Sequence, residues 1–100
     1  MKISMNNISS KEFIKKIANA CEKHGNPYFT NSYSDQVMVL FEYGLALFNV
    51  DEDKGHDGPY IDVTIDMAGT EATISTIIID VQNLLKEVGK DYSITYFLVE

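Results

Sequence analysis

The residues able to do chemistry fall in three places. Cys21 and His24 stand three apart in a stretch of helical periodicity, so their side chains can meet on one helix face. A thiolate nucleophile would need the imidazole as base and a third group to orient it. Zinc would need two further nitrogen, sulfur or carboxylate ligands, and no pair elsewhere in the chain has that spacing. Both residues also lie on or beside an apolar stripe. A small buried cysteine and a histidine near a helix C-terminus account for them better than a reactive pair.

The second place is the segment 51–59, which reads Asp-Glu-Asp-Lys-Gly-His-Asp-Gly-Pro. From Asp53, the pattern Asp53, Gly55, Asp57, Gly58 overlaps the start of a calcium loop. The twelfth position, where such a loop needs a bidentate glutamate, is Thr64, and the flanks read as strands rather than helices. A solvated loop is expected. A small metal-dependent or acid–base enzyme would have to be built here, on Asp53, Asp57 and His56. The third place is Asp62 and Asp66, four apart on one strand face and therefore ~13 Å apart at a rise of ~3.3 Å per residue. Paired glycosidase carboxylates stand roughly 5–9.5 Å apart. No glycine-rich phosphate loop and no Gly-x-Ser-x-Gly elbow is present. Neither an enzyme nor a cofactor is therefore expected.

The charge balance says more. The formal net charge is −7 over 100 residues. It is uneven, for residues 1–30 sum to +3 and residues 31–80 to −9. All eight basic side chains are lysine. An acidic field repels nucleic acid and lipid headgroups and attracts basic surfaces, and phosphate recognition favours the arginine fork. Direct binding to nucleic acid or membrane is not expected. A lone cysteine cannot close an internal disulfide, the N-terminus lacks a signal-peptide apolar run, and no segment is apolar enough to span a bilayer, so a cytoplasmic address is expected.

The elements that must position these residues follow from spacing. Ser9 and Glu12 form a capping box, with Ile8 and Phe13 as its hydrophobic staple. Phe13, Ile17, Ala20, Cys21 and His24 fall at helical spacing, Lys11, Lys15, Lys16 and Lys23 lie off that stripe, and Gly25 and Pro27 end the helix. Residues 28–33 read as a strand, and Ser34-Asp35 as a turn. Residues 36–50 read as one long strand bent at Gly44, which puts Met38, Leu40, Glu42, Ala46 and Phe48 on one face; the alternative is a hairpin turn at Tyr43-Gly44. In residues 60–67, Ile61, Val63, Ile65 and Met67 alternate with Tyr60, Asp62, Thr64 and Asp66. Thr70 caps a second helix whose Ile74, Ile77, Ile78, Val81, Leu84, Leu85 and Val88 repeat at three and four, with Gly89 at its end. Residues 92–99 form a last strand.

The expected fold is thus a single α+β domain over residues 1–100, a two-layer sandwich of order α-β-β-β-α-β. A mainly antiparallel four-stranded sheet carries both helices on one face. That order resembles the first part of secretion-chaperone domains, which are small, acidic and dimeric, and the resemblance implies a homodimeric adaptor. On the opposite sheet face, Met38, Phe48 and Tyr60 are expected as anchors beside Glu42, Asp51, Glu52, Asp53, Asp57, Asp62 and Asp66. Aromatics and methionine belong to interface cores and charges to rims. Same-face carboxylates recur about every 6.8 Å along a strand at ~3.4 Å per residue, close to the phosphate repeat of an extended nucleic-acid strand. The expected function is capture of a basic, nucleic-acid-handling protein, in the manner of small acidic inhibitors from phages and mobile elements, anti-CRISPR-like proteins or toxin-immunity proteins. A homodimer seam on the same face is the alternative.

Overall fold

The computed structural model describes the backbone of residues 1–31, 33–55, 58–91 and 94–98, and the side chains of these except 54, 55, 71, 91 and 94–98. The elements run β1 (Lys2–Asn6), α1 (Ser10–His24), β2 (Tyr28–Asn31), β3 (Gln36–Phe41), β4 (Gly44–Gly55), β5 (Gly58–Ala68), α2 (Glu71–Val88), a 3₁₀ turn (Gly89–Asp91) and β6 (Ile94–Leu98). The strands form one antiparallel six-stranded sheet in the order β2-β3-β4-β5-β1-β6. The α+β class with two helices holds. The four-strand count does not, and the likeness in element order to secretion-chaperone domains goes with it.

Two strands account for the difference. Lys2-Ile3-Ser4-Met5-Asn6 alternates polar and apolar residues, and it enters the sheet between β5 and β6 with Ile3 and Met5 buried. Segment 36–50 is not one bent strand. It is a hairpin in which Phe41 pairs with Gly44 across Glu42-Tyr43. Neither turn residue has positive φ, so this is not one of the favoured primed turns that Asn-Gly would announce. Gly44 is required by close approach, since a Cβ there would lie 2.3 Å from the Ala68 carbonyl oxygen and 2.4 Å from Ile77 Cδ1. The strand ladder also runs through most of 51–59, down to the Gly55–Gly58 pair; positions 56 and 57 lie outside the described residues. The last strand was expected over 92–99, of which 92, 93 and 99 also lie outside them.

Both helices pack on one sheet face over a single core. Phe13, Ile17, Ala20 and Cys21 of α1 and Ile77, Val81, Leu85 and Val88 of α2 meet Val37, Val39, Ala46, Phe48, Val50, Ile61, Val63 and Ile65. The start of α1 follows its sequence: Ser9 Oγ accepts from the Glu12 N–H at 3.2 Å, and Ile8 and Phe13 are both buried. Its end is a Schellman turn, with Gly25 at φ 74°, its N–H bonded to Glu22 O and the Asn26 N–H to Cys21 O. No helix among the described residues is long and apolar enough to cross a membrane.

Candidate functional site: the helix-free sheet face

Strand pairing lays out the bare face in rows. Nearest the Glu42-Tyr43 turn lies the row Leu40–Leu45–Ala68, followed by Phe29–Met38–Leu47–Asp66. Next comes a belt of amides and hydroxyls, Asn31–Gln36–Asn49–Thr64, continued by Lys2. Beyond it lie Asp51–Asp62–Ser4 and Asp53–Tyr60–Asn6. Successive rows stand ~6.8 Å apart along the strands. The face is therefore graded, aliphatic at one end and acidic at the other. Phe29 is 63% exposed, while Met38, Leu40, Leu45 and Leu47 are half-buried.

The acidic end is knit by hydrogen bonds. The Tyr60 hydroxyl donates to Asp53 Oδ2 at 2.7 Å, and the Ser4 hydroxyl donates to Asp62. The bond to Asp53 holds the Tyr60 phenol above its ordinary pKa, and the negative charge of Asp53 adds to it. Asp51 and Asp62 are directly opposed across β4 and β5, an arrangement that costs stability in a sheet. In the polar belt, Gln36 donates to Asn49.

The structure gathers Asp51, Asp53, Tyr60, Asp62, Asp66 and Met38 on this face and removes three other expected site residues from it. Phe48 is fully buried under the helices, its ring centroid 6.3 Å from that of Phe13. The hairpin is the cause: crossing a two-residue turn reverses which parity faces inward, so Ala46 and Phe48 point in while Leu45 and Leu47 point out. Glu52 alternates to the helix side, where its Oε1 accepts the Ser10 N–H at 2.7 Å and satisfies a free donor at the start of α1. Glu42 sits in the hairpin turn and lines a cleft of about 390 Å³ with His24, Asn26, Asp80 and Asn83. Asp57 lies outside the described residues. Phe29, Leu45 and Leu47 were not expected at the site. Only the hairpin alternative for 36–50 would have found the last two.

Cys21 and His24 do not form a pair. Cys21 is buried, and burial pushes its thiol up to about 11. His24 is exposed, and its Nε2 meets Glu87 Oε2 on α2. Among the described residues no three histidine, cysteine or acidic side chains come together as a metal site. In comparisons with known proteins, no family model and no curated protein matches the chain.

Proposed function

We propose that this chain is a protein-binding module whose helix-free sheet face captures a basic protein surface of the kind that handles nucleic acid. The observation that carries this reading is the gradation of the face. Asp51, Asp53, Asp62 and Asp66 share it with Phe29, Met38, Leu40, Leu45 and Leu47. Aliphatic side chains supply the desolvated contact, and carboxylates steer the approach and select positive partners. Asp51 and Asp53, two apart on β4, present charges at ~6.8 Å, which suits a cleft shaped for a phosphate chain. The opposed Asp51–Asp62 pair supports the same reading, because a lysine or arginine between the two would turn a repulsion into two attractions.

The test uses immobilised chain to isolate its partner, which is then purified and titrated. Binding should weaken as salt rises, and nucleic acid should compete for the partner. Asp62→Lys with Asp66→Lys should leave the melting curve near that of the parent and loosen binding roughly tenfold or more. Equal binding by the double variant, or a partner that holds chain and nucleic acid together, would overturn the reading.

A second reading rests on the aliphatic rows alone: two copies pack face to face through Leu40, Leu45, Met38 and Leu47. A dimer in sedimentation that Leu47→Asp dissociates would favour it.

A further inference from the structure

Strand β2 ends the sheet, with no strand on its outer side among the described residues. The Leu40 N–H donates to the Pro27 carbonyl at 2.9 Å, which sets the alternation of the ladder. Phe29 and Met38 then exchange bonds, and the backbone N–H and C=O of Tyr28 and Thr30 point outward. Edge strands are normally blunted by lysine, proline or a bulge. The strand Tyr-Phe-Thr-Asn has none of these, and its register against β3 is unbroken.

Beside this edge, on the helix side of the sheet, runs a groove of about 500 Å³. Lys11, Ile14, Lys15 and Ala18 of α1 form one wall, Tyr28 and Thr30 of β2 the other, and Asp35 lies among its lining residues. Lys11 and Lys15 are exposed, and neither takes part in an ion pair among the described residues. The two stand one helical turn apart, and Ile14 and Ala18 give the same wall its apolar surface. This is a locally basic groove on a chain of net charge −7.

We propose that the edge of β2 accepts an extended acidic peptide as an added strand. Its backbone would pair with Tyr28 and Thr30. Alternate side chains would then enter the groove, and carboxylates there would meet Lys11 and Lys15. The intervening side chains would extend the bare face beyond Phe29, where apolar residues fit. Charge selects this occupant over a second copy. Antiparallel two-fold pairing of β2 with β2 would place both α1 helices on one side of the joined sheet, with Lys11 and Lys15 of each copy approaching those of the other. That juxtaposition is repulsive, whereas an acidic strand makes the same lysines attractive. The proposal uses a surface separate from the acidic end of the bare face and stands whether or not that end binds a basic protein.

The probe is a fluorescein-labelled, end-capped ten-residue peptide alternating valine and glutamate, with a valine–lysine peptide as control. Anisotropy should show saturable binding of the acidic peptide alone, and backbone amide shifts should centre on residues 28–31. Thr30→Pro removes an outward N–H, a change edge strands tolerate, and should weaken binding roughly tenfold or more while circular dichroism stays unchanged. Lys11→Glu with Lys15→Glu should do the same by charge. The proposal is overturned by absence of saturable binding at millimolar peptide, by equal binding of the lysine peptide, or by binding that neither variant alters. A dimer dissociated by Thr30→Pro would also overturn it, assigning the edge to a second copy.

Discussion

Leu47 and Phe48 are adjacent on β4, both apolar, and assigned to opposite fates: Phe48 is fully buried against Phe13, Leu47 half-buried on the bare face. Truncating them to alanine tests the face assignment on which the site depends. Removing a buried phenylalanine costs about 3–5 kcal/mol, through lost transfer energy and the cavity left behind. Leu47 keeps part of its exposure in the folded chain, so its truncation should cost about 1 kcal/mol. For a domain near 100 residues, each kcal/mol moves Tm by roughly 4–8 °C. Phe48→Ala should therefore lower Tm by about 12–40 °C, and Leu47→Ala by about 4–8 °C. Phe48→Leu fills part of the space and should fall between, on the order of 1–2 kcal/mol, which keeps the comparison readable if the alanine variant barely folds. Thermal and urea unfolding followed by circular dichroism measure all three. If Leu47→Ala costs as much as Phe48→Ala, or Phe48→Ala costs under about 1 kcal/mol, the parity of β4 is reversed. Asp51 and Asp53 would then turn toward the helices, and the acidic end of the face would not exist.

Further outcomes follow from single contacts. Gly44→Ala forces a Cβ into the Ala68 carbonyl and Ile77, and should cost about 1–3 kcal/mol in urea unfolding, whereas a glycine held only by turn preference would lose less. The Cys21 thiol should resist alkylation in the folded chain and react once urea unfolds it. Because its pKa is raised to about 11 by burial, the stability it contributes is present below pH 9 and is lost as pH rises through 11; Cys21→Ala should flatten that alkaline limb. Glu87 bridges α2 to α1 through His24 and Lys23, and those hydrogen bonds hold its carboxyl below the ordinary range. Its contribution is present above the ordinary carboxylate pKa and is lost as pH falls through the lowered value. Glu87→Gln should thus lower Tm at neutral pH and reduce the fall in Tm at acid pH, so that parent and variant converge there.

Local pattern determined the helices of this protein. Ser9 and Glu12 start α1, Gly25 stops it, and the three-and-four apolar repeat from Ile74 to Val88 specifies α2, because capping and periodicity involve residues within a turn or two of each other. The alternation of 60–67 likewise settled which side of β5 faces water. The alternation in Lys2–Asn6 was equally legible, but five residues at a chain end carry little weight beside longer runs. Tertiary structure decided the rest. A turn of Glu42-Tyr43 has no sequence signature, yet it reverses the parity of everything after it, sending Phe48 inward and Leu47 outward. Glu52 reads as one more surface acid until α1 brings the Ser10 N–H to it from forty-two residues away. Pairing order made β2 an edge and set Asp51 against Asp62, because which strands become neighbours depends on how the whole sheet covers the helices and on no single stretch of chain.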